Sequence, residues 1–133
     1  MLARTATRPA ADADPDLPAL GITRGETTSH ESTVFYLKCE AEDWHFAVEW
    51  LADHVLHPAF ESADLDAARR IVRTEIEKKH PHAGEITYES RLYPGHALGR
   101  ATGGDAALVG TLDRAALQHF HAVHYCAANV AIG

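Results

Sequence analysis

The chain has 133 residues, 46% of them hydrophobic and 23% charged, a composition of ordinary globular type and long enough for one modest core. Nineteen acidic against twelve basic residues leave a net charge of −7, which argues against a phosphate-binding surface and so against a nucleic-acid partner. No apolar run reaches the length needed to cross a membrane, and the N-terminus lacks the apolar stretch of a secretory signal, so a cytoplasmic placement is the default expectation. Cys39 and Cys126 lie far apart and outside any C-x-x-C pattern, which reads as two lone buried thiols.

Residues 1–16 mix Ala, Pro, Asp and Arg, can bury little surface, and are expected to form a disordered leader before a domain spanning 17–133. Thr23 to Thr28 and Thr33 to Cys39 read as two short strands, the second rich in β-branched and aromatic residues, with Ser29 to Ser32 as the turn. A helix is expected from about Glu42 to Leu56, its core face marked by Trp44, Ala47, Val48, Leu51 and Val55, with Pro58 just beyond its end. A second runs from Ser62 to Lys79 with Ser62 or Asp64 as cap and Pro81 as stop, and a third from Gly84 to Leu92 before the turn Tyr93-Pro94-Gly95. The glycine-rich segment Gly95 to Gly110 should be mostly loop. Thr111 is expected to cap a last helix, Leu112 to Tyr125, and Asn129 to Gly133 reads as the opening of a strand.

Within the Ser62–Lys79 helix, Leu65, Ala68, Val72, Glu75 and Ile76 recur at helical spacing, which puts the Glu75 carboxylate on the face expected to turn inward. Burying an unpaired carboxylate costs several kcal/mol, so such a residue is paired, hydrogen-bonded or bound to a metal.

Ten histidines invite a search for a metal cluster. His121 and His124 share a helix face, but His119 points away from them, and a pair needs a third ligand from elsewhere. His54 and His57 sit near a helix end, where imidazole suits the dipole, and His80 and His82 flank Pro81 in what reads as a solvated turn. H-E-x-x-H begins at His30-Glu31 but meets Val34 where its second histidine belongs. The inverted H-x-x-E-H has one near miss, His82 to Ile86, lacking its final histidine. Gly103-Gly104-Asp105 is a turn signal, and no nucleophile elbow or phosphate loop occurs.

Four stretches together resemble the zinc metallopeptidases of the pitrilysin, insulinase and mitochondrial processing peptidase family. Thr28 to Tyr36 is similar to T-S-x-E-x-T-x-Y-Y; Leu51 to Phe60 to L-x-D-x-x-x-x-P-x-F; Ala68 to Ile76 to E-R-x-V-V-x-x-E-I. Tyr93 to Arg100 with Phe120, Tyr125 and Asn129 is similar to Y-P-x-H-P-L-G-R followed by F-x-x-x-Y-x-P-x-N. The resemblance implies an α+β layered domain, short antiparallel strands packed by helices, represented here by an incomplete portion. It implies zinc as the family's cofactor, a peptide as its substrate, and Glu75 as the third metal ligand beside two histidines of H-x-x-E-H, whose glutamate is the general base. By the family's spacing those histidines would fall at or before Met1, whereas the first histidine present is His30. Ala68 stands where the family has a supporting glutamate, Gly25 where a strand asparagine is common, and Ala127 in place of a proline.

The resulting expectation is a truncated or degenerate zinc metalloendopeptidase domain with Glu75 as its one metal ligand, no catalytic residue of its own, zinc bound weakly if at all, and no identifiable substrate-binding residue. Without its partners Glu75 should be protonated, hydrogen-bonded or reached by solvent. The alternative is a non-catalytic partner or structural subunit pairing with an active relative or a second peptidase-like domain. A small metal-binding module built on His121 and His124 is a third, remoter option.

Overall fold

The computed structural model describes Thr5, residues 16–79 and residues 83–133. Their elements are α1 (Asp16–Ala19), β1 (Thr23–Thr28), β2 (Thr33–Lys38), α2 (Trp44–Leu56), α3 (Ser62–Lys79), α4 (Ala83–Leu92), α5 (Ala106–Thr111) and α6 (Arg114–His124). The fold is α+β, with β1 and β2 paired as a hairpin. Two compact units make up the chain: residues 1–26, 35–65 and 113–133 form one, and residues 27–34 and 66–112 the other.

The first unit is organised on Trp50, whose side chain is 1% exposed. Leu17, Ile22 and Ala47 complete the buried cluster, with Leu20, Leu37, Cys39, Phe46 and Leu51 packed against it. The one-turn helix α1 ends in a Schellman motif, with Ile22 N–H donating to Leu17 O at 2.8 Å and Gly21 N–H to Pro18 O at 3.1 Å. Gly21 takes φ +66°, the left-handed conformation this cap requires. The motif folds Ile22 back toward Leu17 and seats both in the core.

In the hairpin turn Ser29 N–H donates to Ser32 O at 2.8 Å, and the Ser29 hydroxyl accepts from Glu31 N–H and Ser32 N–H. A serine turn thus replaces the Asn-Gly chemistry of a tight hairpin, without a positive φ at His30 or Glu31. Beyond it, in the second unit, His30 Nε2 lies 3.0 Å from Arg100 O and 3.4 Å from a Glu89 carboxylate oxygen.

Of residues 1–16, Thr5 and Asp16 are described, and 1–4 and 6–15 lie outside the described residues. Thr5 is 4% exposed, forms an antiparallel bridge with Pro58, and its hydroxyl donates to Asp53 Oδ2 at 2.7 Å. His80 and His82 also lie outside the described residues.

Four local expectations are corrected. The segment expected to be mostly loop contains a short 3-10 turn at Ala97–Gly99 and the helix α5, capped by Asp105, whose carboxylate accepts from Ala107 N–H and Leu108 N–H. Thr111 closes α5, and the residue that caps α6 is Asp113, accepting from Ala116 N–H at 2.7 Å. Asn129 to Gly133 forms no strand: a 3-10 turn covers Ala127–Asn129, and Ile132 is exposed. Cys39 and Cys126 are free and only half buried.

Gly21→Ala should lower stability by about 1 kcal/mol, because an alanine in the left-handed region crowds its own carbonyl. Urea denaturation of the two proteins measures it; equal midpoints would show that the cap does not hold α1 in place.

Candidate functional site

The ligand-bearing helix predicted from the sequence is α3. Its inward stripe is real: Leu65, Ala68, Arg69 and Val72 are half buried and Ile76 is 8% exposed. Glu75 is not part of it. The residue is exposed, on the flank of the stripe about 100° round the helix from Ile76. A single-residue step therefore separates a core position from a solvent-reached one. Of the fates open to a lone carboxylate, solvent contact is the one observed, and no desolvation cost arises. None of the hydrogen bonds or ion pairs among the described residues engages it.

Within the second unit α3 is held at two heights. Arg69 donates from Nη1 to its own-helix neighbour Asp66 at 2.6 Å and from Nη2 to the carbonyl of Leu112, the residue that follows α5. Seven residues on, Ile76 Cγ1 lies 3.5 Å from the position a Cβ on Gly103 would take, so the glycine-rich loop passes closely over it. Sequence reasoning missed Arg69. Its place in the stripe, seven residues before Ile76, was the signal available.

Three of the histidines, His54, His57 and His121, have structural partners. His54, 7% exposed, stacks on Trp50 with ring centroids 3.6 Å apart, and its Nδ1 lies 2.8 Å from Trp50 O. A carbonyl can only accept, so that nitrogen carries the proton. His57 faces Asp53 at 3.4 Å. His121 Nε2 donates to Val55 O at 2.7 Å, satisfying a carbonyl that the end of α2 leaves unpaired, and its ring stacks on Tyr125 at 4.8 Å. Phe60, a bulky residue held at φ +52°, packs its ring edge-on against His121 at 5.6 Å, and Arg114 donates to Ala59 O. The α2 exit is thus fastened by α6, and His121 is committed to it. His119 and His124 are exposed. Burial raises the Tyr125 phenol above its ordinary 10.0, so the ring is neutral near neutral pH and the stability it contributes is lost as pH climbs beyond 10.

Gly25 sits opposite Tyr36 in the hairpin. A Cβ there would lie 2.3 Å from Tyr36 Cζ and Oη, so the ring occupies the space a side chain at 25 would fill. With Arg24, Glu26, Phe35, Trp50 and His54, these residues line a shallow hollow of about 20 Å³, room for one water molecule. Among the described residues no group of three or more His, Cys, Asp and Glu side chains could hold a metal ion, and no helix is long and apolar enough to cross a membrane.

With this geometry in place, comparison with known proteins identifies the class. Residues 1–105 match the family Insulinase (Peptidase family M16), and the chain belongs to that family. The chain is 30% identical over 124 residues to an uncharacterized zinc protease of Mycobacterium tuberculosis, covering 91% of this chain and 28% of that protein. It is 28% identical over 101 residues to the mitochondrial-processing peptidase subunit beta of Caenorhabditis elegans, covering 74% of this chain and 22% of the relative. The fold resembles the crystal structure of a peptidase M16 inactive domain from Pseudomonas fluorescens, with a TM-score of 0.71 and 22% identity over 80% of this chain and 27% of that one. The chain therefore spans about a quarter of the length of these relatives.

A side chain at position 25 should displace the Tyr36 ring. Gly25→Ala is expected to cost about 1–2 kcal/mol, with a coupling to Tyr36→Ala of at least about 0.5 kcal/mol in a double-mutant cycle. Additive effects would show that the two residues are independent.

Proposed function

We propose that this chain is the ligand-helix portion of an M16-type zinc metallopeptidase domain, contributing Glu75 as one metal ligand and hydrolysing no peptide by itself. The observation that carries this reading is the state of Glu75: exposed, uncommitted to any described partner, and carried on a helix whose other face is fixed in the core. It is a donor zinc accepts, and it fits one of the three protein positions such a site uses. The other two and the general base are not found in these 133 residues, since H-x-x-E-H does not occur in them. When bound in a complete site, zinc supplies Lewis-acid activation of water for peptide hydrolysis. Here no catalytic step is assigned to any residue, because one donor cannot hold the ion in place.

Two measurements test this. The purified chain with added zinc should leave an unstructured peptide intact, and zinc-dependent cleavage would refute the reading. Co-expressed with a polypeptide bearing H-x-x-E-H, the chain should recover zinc in the pair. Glu75→Gln should then lower the zinc content about tenfold or more, as loss of a ligand or its close support does. Equal zinc with and without Glu75 would remove it from the metal site.

A second reading, a non-catalytic subunit that pairs with another peptidase-like chain, is supported by a specific surface. Trp44, Val48, Ala52 and Leu56 recur every four residues along the outer side of α2, all exposed, opposite the face that carries Ala47, Trp50 and His54. An apolar ridge of this kind is typical of a contact surface. Ala68, in place of the glutamate that supports the metal site in the family, agrees with it. Several relatives are named as the beta subunit of a mitochondrial-processing peptidase, which favours pairing in the family. If pairing uses this ridge, Val48→Glu should abolish capture of a full-length relative while leaving the far-ultraviolet dichroism of the chain unchanged. Undiminished capture would exclude the ridge.

A further inference from the structure

We infer that Arg69 is a positioning residue: it sets the rotation of α3 about its own axis and thereby the direction in which the Glu75 carboxylate is presented. The inference rests on the proposed role of Glu75 for its functional meaning, but its physical content stands on the second unit alone.

A helix packed by one apolar stripe is free to roll by several degrees, because apolar contacts are non-directional. Among the described residues of α3, Ile76 is the one fully buried apolar side chain, with Leu65, Ala68 and Val72 half buried on the same stripe and Gly103 passing close to it. Apolar contacts of this kind set a face and leave the exact rotation loosely defined. Arg69 supplies the direction. Its planar guanidinium bridges two points with fixed geometry, Asp66 on the preceding turn of α3 and the carbonyl of Leu112, just beyond the end of α5. The first contact orients the fork on its own helix, and the second ties that fork to a neighbouring element. The two fastenings, at residues 69 and 76, are about 10 Å apart along the helix. Glu75 is adjacent to the upper one.

The arginine is held in this arrangement at a cost. Its Nε is buried with no hydrogen-bond partner among the described residues. An unpartnered donor is unfavourable for stability, so simple stabilisation is a poor reason for the residue. A geometric role accounts for it better. Lysine carries the same charge as a point on a flexible stem and cannot span the two acceptors in one plane.

The experiment uses the full 133-residue chain in three forms: wild type, Arg69→Lys and Arg69→Met. Amide residual dipolar couplings of α3 and α5 read the rotation of one helix against the other, and urea denaturation reads stability. Both variants should roll the second half of α3 by more than about 15°, beyond the tolerance of a metal-binding constellation, with lysine failing to rescue. Their urea midpoints should stay close to wild type. Unchanged couplings in Arg69→Met, or rescue by lysine, would overturn the inference, and unfolding of both variants would reduce Arg69 to a stability residue and overturn it equally. None of these readings involves zinc. A failure here is therefore distinguishable from a failure of the Glu75 ligand assignment, which shows only in the metal content of the co-expressed pair.

Discussion

The burial of Trp50 is the interaction on which the first unit depends. An indole removes more apolar surface from water than any other side chain, and at about 25 cal/mol per Å² it supplies a large share of a small core. The elements around it are arranged to close that burial. α1 turns back through Gly21 to deliver Leu17 and Ile22, β2 adds Leu37, and α2 itself contributes Ala47 and Leu51. His54 stacks on one side of the indole, and the Arg24 guanidinium lies over the ring at 5.8 Å. The sequence pattern of α2 contains Ala47 and Leu51, but it placed Trp44 and Val48 on the same inward face, and both are exposed.

That misplacement has a physical cause. Trp44, Ala47, Val48, Trp50, Leu51, Val55 and Leu56 surround α2 almost completely, so periodicity cannot say which side faces the core. In α3 the opposite difficulty arises. Its stripe is narrow, and an acidic residue next to an isoleucine satisfies the same helical spacing as the isoleucine itself. Spacing resolves a face to within one residue at best, and at Glu75 one residue is the difference between burial and water.

What the sequence did disclose is the local chemistry with sharp signatures. The two strands, the extent of α3 and the stop at Leu92 follow from β-branched runs, helical periodicity and Pro-Gly punctuation. α5 was hidden because Gly110 and the glycines at 103 and 104 read as loop, while the signal that starts it, the Asp105 cap, is a single carboxylate that competes with a turn reading. The family was legible from four short stretches in order. The Arg69 contact with Leu112 was not, since it joins residues 43 positions apart and depends on tertiary placement alone.

The exposure of Glu75 changes the kind of constraint that acts on it. A buried carboxylate would be retained or lost according to its cost to the fold, and any replacement would be felt as stability. An exposed one imposes almost nothing on the fold, so its direction must be fixed by other residues if it is to meet a ligand. In α3 the buried Ile76 anchors the helix, and Arg69, whose Nε has no partner among the described residues, is the residue inferred to orient it. Fold and site are therefore separable here. Substitution at Glu75 leaves the core untouched, whereas substitution at Arg69 acts on the carboxylate through geometry. Substitution at the exposed position can accordingly change its chemistry while the packing is kept, whereas Ala68, half buried on the same helix, belongs to the packed stripe.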